Sequence, residues 1–350
     1  MESLNAYLLI LTILAIILLL LRPGLRTTLI NKVLFPPAYK LYTSRVVGYT
    51  FHSLAFMSSS TNPSKAHSII DAVKTYGEGD GAFQVVPIPV LGDNFSYLLL
   101  HKHSKTCALV DPADPHPVTQ VLEQHSDYKL THILTTHKHW DHAGGNIELL
   151  KQFPGITVVG GVGEEVAAAN KEVTTGDVVN MAQHFDAHIY QCPCHTKGHI
   201  LFGVENTLFT GDTLFAGGCG RFFEGSASEM YKNLYQTIGP MKDSTWIFPG
   251  HEYTVANLEF ATWVEPNNTA ARTKLEWAEE RRAGKFPTIP TTLKEEKEYN
   301  PFMRVHQQTV VDRVSRLLGN VSSSPSHERD VRVMDALRTL KNENAHKKKE

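Results

Sequence analysis

The sequence is short of cysteine, with only Cys107, Cys192, Cys194 and Cys219 among its 350 residues. A chain of this length held together by disulfides would carry more, at framework spacings, so a secreted disulfide scaffold is excluded. Cys192-Pro-Cys194 is too tight for a redox pair of the usual two-residue spacing. The expectation is buried or site-flanking thiols in a reducing compartment. An excess of charge of one sign is also lacking. The formal net charge is −2, which removes any global attraction to nucleic acid or to an acidic membrane. There is no internal repeat. With 42% apolar and 20% charged residues, the chain has the composition of an ordinary globular protein with a real core.

One segment departs from that composition. Ala6 to Leu21 is a run of 16 residues without a charge, or 18 counted from Leu4, near the lower limit for spanning a bilayer. No A-x-A-like cleavage site follows it and only Glu2 precedes it, which speaks against a removed leader. Arg22, Arg26 and Lys32 follow the run, and the positive-inside tendency then places the rest of the chain in the cytosol. The run is apolar all round rather than amphipathic, which disfavours a buried core helix. The expectation is a single-pass signal anchor over residues 1–25; the organelle is left open, a mitochondrial association included. Residues 26–81 read as a tether, with Tyr39-Lys40-Leu41-Tyr42, the polar Ser58 to Lys65 stretch, and a flexible boundary at Gly77 to Gly81.

From Ala82 a rhythm begins. Phe83 to Ile88, Phe95 to Leu100 and Thr106 to Val110 read as strands, the first two parted by a Gly92-Asp93-Asn94 turn and the third halted by Asp111-Pro112. Val118 to His125 reads as a short helix. Four further strand-like runs each lead to a histidine or aspartate: Leu130–Leu134 to His137, His188–Gln191 to His195, Thr207–Thr210 to Asp212, and Trp246–Phe248 to His251. Loops leaving one edge of a sheet are where sites are assembled, so these polar residues point to one site within a domain spanning 82–257. From residue 258 the texture turns helical, at Ala270–Arg282, Thr309–Leu318 and Arg329–Asn342. The chain ends in a basic tail, which makes 258–350 an α-rich subdomain.

The stretch TTHKHWDHAGGN, Thr135 to Asn146, carries the chemistry. Imidazole and carboxylate together suit zinc, iron or manganese without a thiolate. In a loop, His137 and His139 can converge on one ion while Asp141 and His142 reach another. Two ions with three terminal ligands each and one shared carboxylate need seven groups. His137, His139, Asp141, His142, His195, Asp212 and His251 make seven. A metal pair roughly 3.5–4 Å apart shares a water acidic enough to ionise at neutral pH and stabilises an oxyanion formed by attack on a carbonyl. His132, His184, His188 and His306, each standing alone, read as ordinary hydrogen-bonded residues.

These stretches, with Pro193–His199 (PCHTKGH), Thr210–Phe215 (TGDTLF) and Pro249–Tyr253 (PGHEY), resemble the metallo-β-lactamase superfamily. Gly218–Gly225 (GCGRFFEG), Val264–Asn268 (VEPNN) and Tyr299–Val305 (YNPFMRV) narrow the resemblance to glyoxalase II, the hydroxyacylglutathione hydrolases, over residues 84–341. Leu41–Tyr49 and Pro87–Leu98 resemble a membrane-associated branch of that family. The resemblance implies an α/β fold, an αββα sandwich with a helical C-terminal subdomain. It implies His137, His139 and His195 on one metal and Asp141, His142 and His251 on the other, with Asp212 bridging. The implied cofactors are two divalent ions, zinc first, and the implied substrate is a glutathione thioester such as S-D-lactoylglutathione.

Glutathione carries two carboxylates, and Arg221, Arg338, Lys341 and Tyr253 match the family's substrate-facing positions. Arg338 and Lys341 stand three apart on one predicted helix and share a face; without the resemblance they would read as a solvated face. Phe223 stands where the family usually has a tyrosine hydroxyl, a loss of about 0.5–1.5 kcal/mol if one hydrogen bond goes. Cys194 reads as flanking rather than catalytic. Two alternatives stay open. One is a mononuclear iron persulfide dioxygenase of the same superfamily, which would not need Asp141 or His142 as ligands. The other is a membrane-tethered interaction protein with a residual metal site. Asn94, Asn267 and Asn320 head glycosylation sequons that would be used only in a lumenal domain.

Overall fold

A computed structural model of the chain describes residues 74–319 and 326–344. The apolar run from Ala6 to Leu21 lies outside them, and among the described residues no helix is long and apolar enough to cross a membrane.

Chain order begins with β1 (Lys74–Tyr76), β2 (Phe83–Val90), β3 (Asn94–His101), β4 (Thr106–Val110), α1 (Pro115–Gln124), β5 (Lys129–Leu134), α2 (Trp140–Ala143), α3 (Asn146–Gln152), β6 (Thr157–Gly161) and β7 (Lys171–Val173). These strands form a seven-stranded sheet in sequence order, parallel from β4 through β7. The second half supplies β8 (Val178–Ala182), β9 (Phe185–Gln191), β10 (Ile200–Val204), β11 (Thr207–Gly211), a small hairpin of β12 (Leu214–Phe215) and β13 (Gly218–Cys219), then α4 (Ala227–Tyr231), β14 (Trp246–Pro249), α5 (Thr254–Val264), α6 (Thr269–Ala283), β15 (Thr291–Thr292), α7 (Leu293–Tyr299), α8 (Gln308–Leu318) and α9 (Ser326–Asn342). The second sheet has six strands in the order β15-β14-β11-β10-β9-β8.

The period-2 alternation of strands decides what packs where. On β3, Phe95, Tyr97 and Leu99 face the second sheet and meet Phe185, Ile189, Phe202, Phe209 and Phe248. Leu98 and Leu100 face the other way, onto Val118, Val121 and Leu122 of α1. The outer face of the second sheet, Leu201, Leu208 and Ile247, packs against Val310, Val311 and Val314 of α8 and Val333, Met334 and Leu337 of α9. The layers are therefore helix, sheet, sheet, helix. Both sheets are covered on both sides, which is why their strands read as near-continuous apolar runs.

The ordered sheet begins earlier than the sequence suggests. Lys74–Tyr76 pairs antiparallel with Phe83–Val85, and Tyr76 is buried with its ring edge-on to Trp246 and Phe248. Gly77 to Gly81 is therefore a connection between paired strands, not a flexible boundary. Gly77 and Gly79 take positive φ there. A strand of three residues offers too little periodicity to be read from sequence.

Candidate metal centre

The residues at the strand ends converge. His137, His139 and His195 form one group whose facing ligand atoms all lie within 4.8 Å of one another, and Asp141, His142 and His251 form another. His137, His142 and Asp212 form a third group between them, so all seven sequence candidates meet at one place. Each rides on a connection leaving a sheet edge: the loop after β5 for His137 and His139, the short helix α2 that follows it for Asp141 and His142, the β9–β10 loop for His195, the end of β11 for Asp212 and the end of β14 for His251. Two glycines permit the approach. A Cβ at Gly220 would lie 1.8 Å from the Asp212 carbonyl oxygen, and one at Gly250 would lie 2.6 Å from His142 Cε1.

The outer hydrogen bonds fix which ring nitrogen faces inward. His142 Nδ1 donates to Asp111 Oδ2 at 3.0 Å, His195 Nδ1 donates to the Arg221 carbonyl at 3.0 Å, and His251 Nδ1 lies 3.2 Å from Asp93 Oδ1. Thr136 Oγ1 gives its proton to Asp111 Oδ2 at 2.7 Å, so it accepts from His137 Nδ1 at 3.0 Å. With each Nδ1 engaged as a donor, the Nε2 lone pairs of all four rings point inward. In the first half-site, His137 Nε2 and His195 Nε2 lie 2.9 and 3.0 Å from His139 Nδ1. One shared proton cannot satisfy three converging nitrogens. In the second, His142 Nε2 and His251 Nε2 face Asp212 Oδ1 at 3.3 and 3.5 Å, and His251 Nε2 lies 3.6 Å from Asp141 Oδ2. Buried His142 Nε2 and Asp212 Oδ1 have no hydrogen-bond partner. Lone pair facing lone pair in a buried site is the donor set of a cation.

The electrostatics differ between the halves. Burial and the neighbouring histidines hold His137 well below the ordinary range, burial and His195 hold His139 there, and burial lowers His195 as well. That half is three neutral imidazoles. In the second half burial opposes charge too, but Asp212, Asp111 and Asp141 outweigh it and raise His142 well above its usual value. Asp212 and Asp93 likewise lift His251 to about 10. Burial would raise the Asp212 carboxyl, but His251, His142 and His195 hold it well below the usual range. The second half thus recruits a cation of some kind, a proton when nothing else competes.

Asp212 joins the two halves. Its Oδ2 lies 3.3 Å from His195 Nε2, while its Oδ1 faces His142 and His251.

The expected substrate-side residues fall into two places. Phe223 is partly buried, its ring 5.1 Å from His195 and 6.1 Å from His139, with the exposed Arg221 guanidinium 6.0 Å from its centroid. Tyr253 stacks on His251 at 4.6 Å and 7°. Arg338 and Lys341 lie on α9. Arg338 is not on a solvated face: it is 7% exposed, donates from Nη1 to the Cys219 carbonyl at 2.9 Å and leaves Nε without a partner. Lys341 donates from Nζ to the Ala256 carbonyl. Cys194 is buried and its thiol donates to the Ser226 carbonyl at 3.3 Å; burial pushes its pKa far up, so it stays a protonated flanking thiol.

Several residues of the site escape sequence reasoning. Asp111, read as a strand stop, anchors Thr136 and His142 and takes a left-handed φ of 47°. His199 stacks 4.7 Å from His137 and accepts from the Asp212 backbone N–H at 3.2 Å. Its only signal is its place closing the PCHTKGH stretch. Asn94, read as a turn and sequon, is 1% exposed and donates to the Asp141 carbonyl at 3.0 Å, which removes it from the glycosylation candidates. Glu164 is fully buried and spans two ligand loops.

Known protein families match this chain from residue 90 to residue 344. Residues 90–251 match the family model of the metallo-beta-lactamase superfamily, and residues 252–344 match that of the hydroxyacylglutathione hydrolase C-terminus. A cytoplasmic hydroxyacylglutathione hydrolase of Arabidopsis thaliana is 44% identical over 237 residues, 66% of this chain and 92% of its own length. A hydroxyacylglutathione hydrolase-like protein of Gallus gallus is 40% identical over 268 residues, 74% of this chain and 89% of its own. The crystal structure of ETHE1 from Myxococcus xanthus covers 77% of this chain and 97% of its own, with 23% identity and a TM-score of 0.49.

Proposed function

Since the chain belongs to the hydroxyacylglutathione hydrolase family of the metallo-beta-lactamase superfamily, we propose that it hydrolyses glutathione thioesters of the S-D-lactoylglutathione type, releasing glutathione and a 2-hydroxy acid. The observation that carries this reading is the placement of the Asp212 carboxylate, one oxygen toward each half-site. In this reading His137, His139 and His195 hold one divalent ion, Asp141, His142 and His251 the other, and Asp212 serves both. Divalent ions in such a site supply an acidified water and positive charge for a developing oxyanion.

The chain's own residues do the rest. Asp111, Asp93, Thr136 and the Arg221 carbonyl hold the four Nδ1 protons outward, so the lone pairs are already aimed. Phe223 and Tyr253 lay their rings against the two sides of the centre. Arg221, Arg338 and Lys341 supply positive charge for the carboxylates of glutathione. Arg338, buried and without a carboxylate partner among the described residues, would meet one at little further desolvation cost. The metal is assigned as zinc on the nitrogen-rich ligand set.

The persulfide dioxygenase reading, which does not need Asp141 or His142 as ligands, leaves their convergence with His251 without a purpose. We further assign residues 1–25 to a membrane anchor on the strength of the apolar run and the basic residues after it. The catalytic sandwich would end near residue 257, with the helical subdomain beyond it. The test is hydrolysis of S-D-lactoylglutathione by the zinc-loaded chain, followed by release of free thiol, with Asp212→Ala as the inactive control.

A further inference from the structure

Lys138 lies between two of the proposed ligands, and both its ends are bound to carboxylates. Its backbone N–H donates to Glu164 Oε1 at 3.0 Å, while Glu164 Oε2 accepts from Gly198 N–H at 2.7 Å. Its ammonium lies 2.9 and 3.0 Å from the two oxygens of Glu224, while Glu224 Oε2 also accepts from Lys197 N–H at 2.9 Å. Two glutamates thus span the same gap, between the His137–His139 loop and the loop that carries His195. Glu164 does so from a buried position behind them. Glu224 does so from the irregular segment after β13 that carries Arg221 and Phe223, and its own N–H donates to the Cys194 carbonyl at 3.1 Å. That segment also turns His195, through the Arg221 carbonyl, and lays Phe223 against His139 and His195.

The Lys138 and Glu224 side chains are 26% and 16% exposed. A pair so shielded, with two oxygens on one ammonium and a second donor on the same carboxylate, is better fixed than a rim ion pair. Its ammonium is spent on Glu224, so Lys138 is not a spare cation for substrate. None of these contacts touches Asp141, His142 or His251, which are held instead by Asn94, Asp111 and Asp93.

We propose that Lys138 and Glu224 are positioning residues, a latch that fastens the Arg221–Phe223 segment against the first half-site and fixes the geometry of His137, His139 and His195. Opening it loosens the first metal while sparing the second, and it lets the substrate-facing segment drift. The proposal rests on the dinuclear hydrolase reading, but its primary test needs no substrate.

The full chain, loaded with zinc, is dialysed against rising concentrations of a chelator and its zinc content measured at each step. Lys138→Met and Glu224→Gln should each fall to one zinc at a chelator concentration about tenfold below that needed by the unmodified chain, with release of the second zinc unmoved. Lys138→Arg, which keeps the ion pair, should restore the original curve. Where turnover is measured, Lys138→Met should raise KM for S-D-lactoylglutathione more than it lowers kcat. Two zincs retained to the original chelator concentration in both variants would overturn the latch. So would equal loss from both half-sites with no rescue by Lys138→Arg, since that is a fault of folding. An unmodified chain that binds two zincs but hydrolyses no thioester would overturn the functional reading instead and leave the zinc curves to decide the latch.

Discussion

The Nδ1 proton of His142 points at Asp111 Oδ2, 3.0 Å away, and this turns the Nε2 lone pair of the same ring onto Asp212. The same Asp111 oxygen accepts from Thr136, which holds His137. One buried carboxylate therefore orients a ligand in each half-site. Replacing Asp111 by Asn keeps the shape but puts an amide donor against two donors. Affinity for both ions should fall about 10–100-fold, measured as zinc retained against a competing chelator. Unchanged affinity for either ion would show that the rings are aimed by packing alone.

The halves should differ in the protons that they exchange for metal. His142 and His251 are held above their usual pKa by Asp212 and its neighbours, while His137, His139 and His195 are held below theirs by burial. Near pH 7 the first half-site is therefore already deprotonated and the second holds protons that metal must displace. Titration of the metal-free chain with zinc in weak buffer should release protons with one equivalent and almost none with the other. Equal release by both equivalents would contradict the assignment.

Phe223 gives a direct measure of what the missing hydroxyl does. Its ring already lies against His139 and His195, so Phe223→Tyr places an O–H at the mouth of the centre without repacking. A hydrogen bond to bound glutathione thioester is worth about 0.5–1.5 kcal/mol, which predicts a roughly two- to twelvefold drop in KM. A KM that stays put or rises would mean that this wall recognises something other than the glutathione backbone.

Glu296 predicts a pH dependence away from the metals. It is fully buried and accepts from Gly217 N–H, Tyr299 O–H and Asn300 Nδ2, which ties α7 to the β12–β13 hairpin. Burial outweighs those bonds and raises its pKa to about 7. A carboxyl raised on folding stabilises the protein most below its unfolded value, and that contribution is lost as pH rises through the folded value. Stability should therefore decline between about pH 4.5 and 7 by roughly 3 kcal/mol from this group. Glu296→Gln, which stays neutral, should flatten that part of the curve of unfolding free energy against pH. An unaltered slope would show that the carboxyl is not the titrating group.

What could be read from the chain followed the range of the interactions. Strand ends bearing His137, His195, Asp212 and His251 were legible, because short apolar runs terminate on residues that have no place in a core. The helices Thr269–Ala283 and Gln308–Leu318 were legible from their spacing. Asp111, Asn94, His199 and Glu164 were not, since each acts through a contact distant in sequence that exists only once the chain has folded. Asn94 meets Asp141, 47 residues along the chain, and nothing local to it distinguishes a site residue from a turn. Arg338 shows the same limit in reverse. Helical spacing makes it a surface cation, whereas the Cys219 carbonyl and the Phe302 ring enclose it.

The most direct test of a dinuclear thioester hydrolase is a metal count paired with turnover on the same sample. The zinc-loaded full chain should hold two ions and release free thiol from S-D-lactoylglutathione. Asp212→Ala, deprived of the carboxylate that faces both His195 and His142, should lose turnover and at least one ion. One iron per chain with oxygen consumption, or two ions without thiol release, would contradict the account.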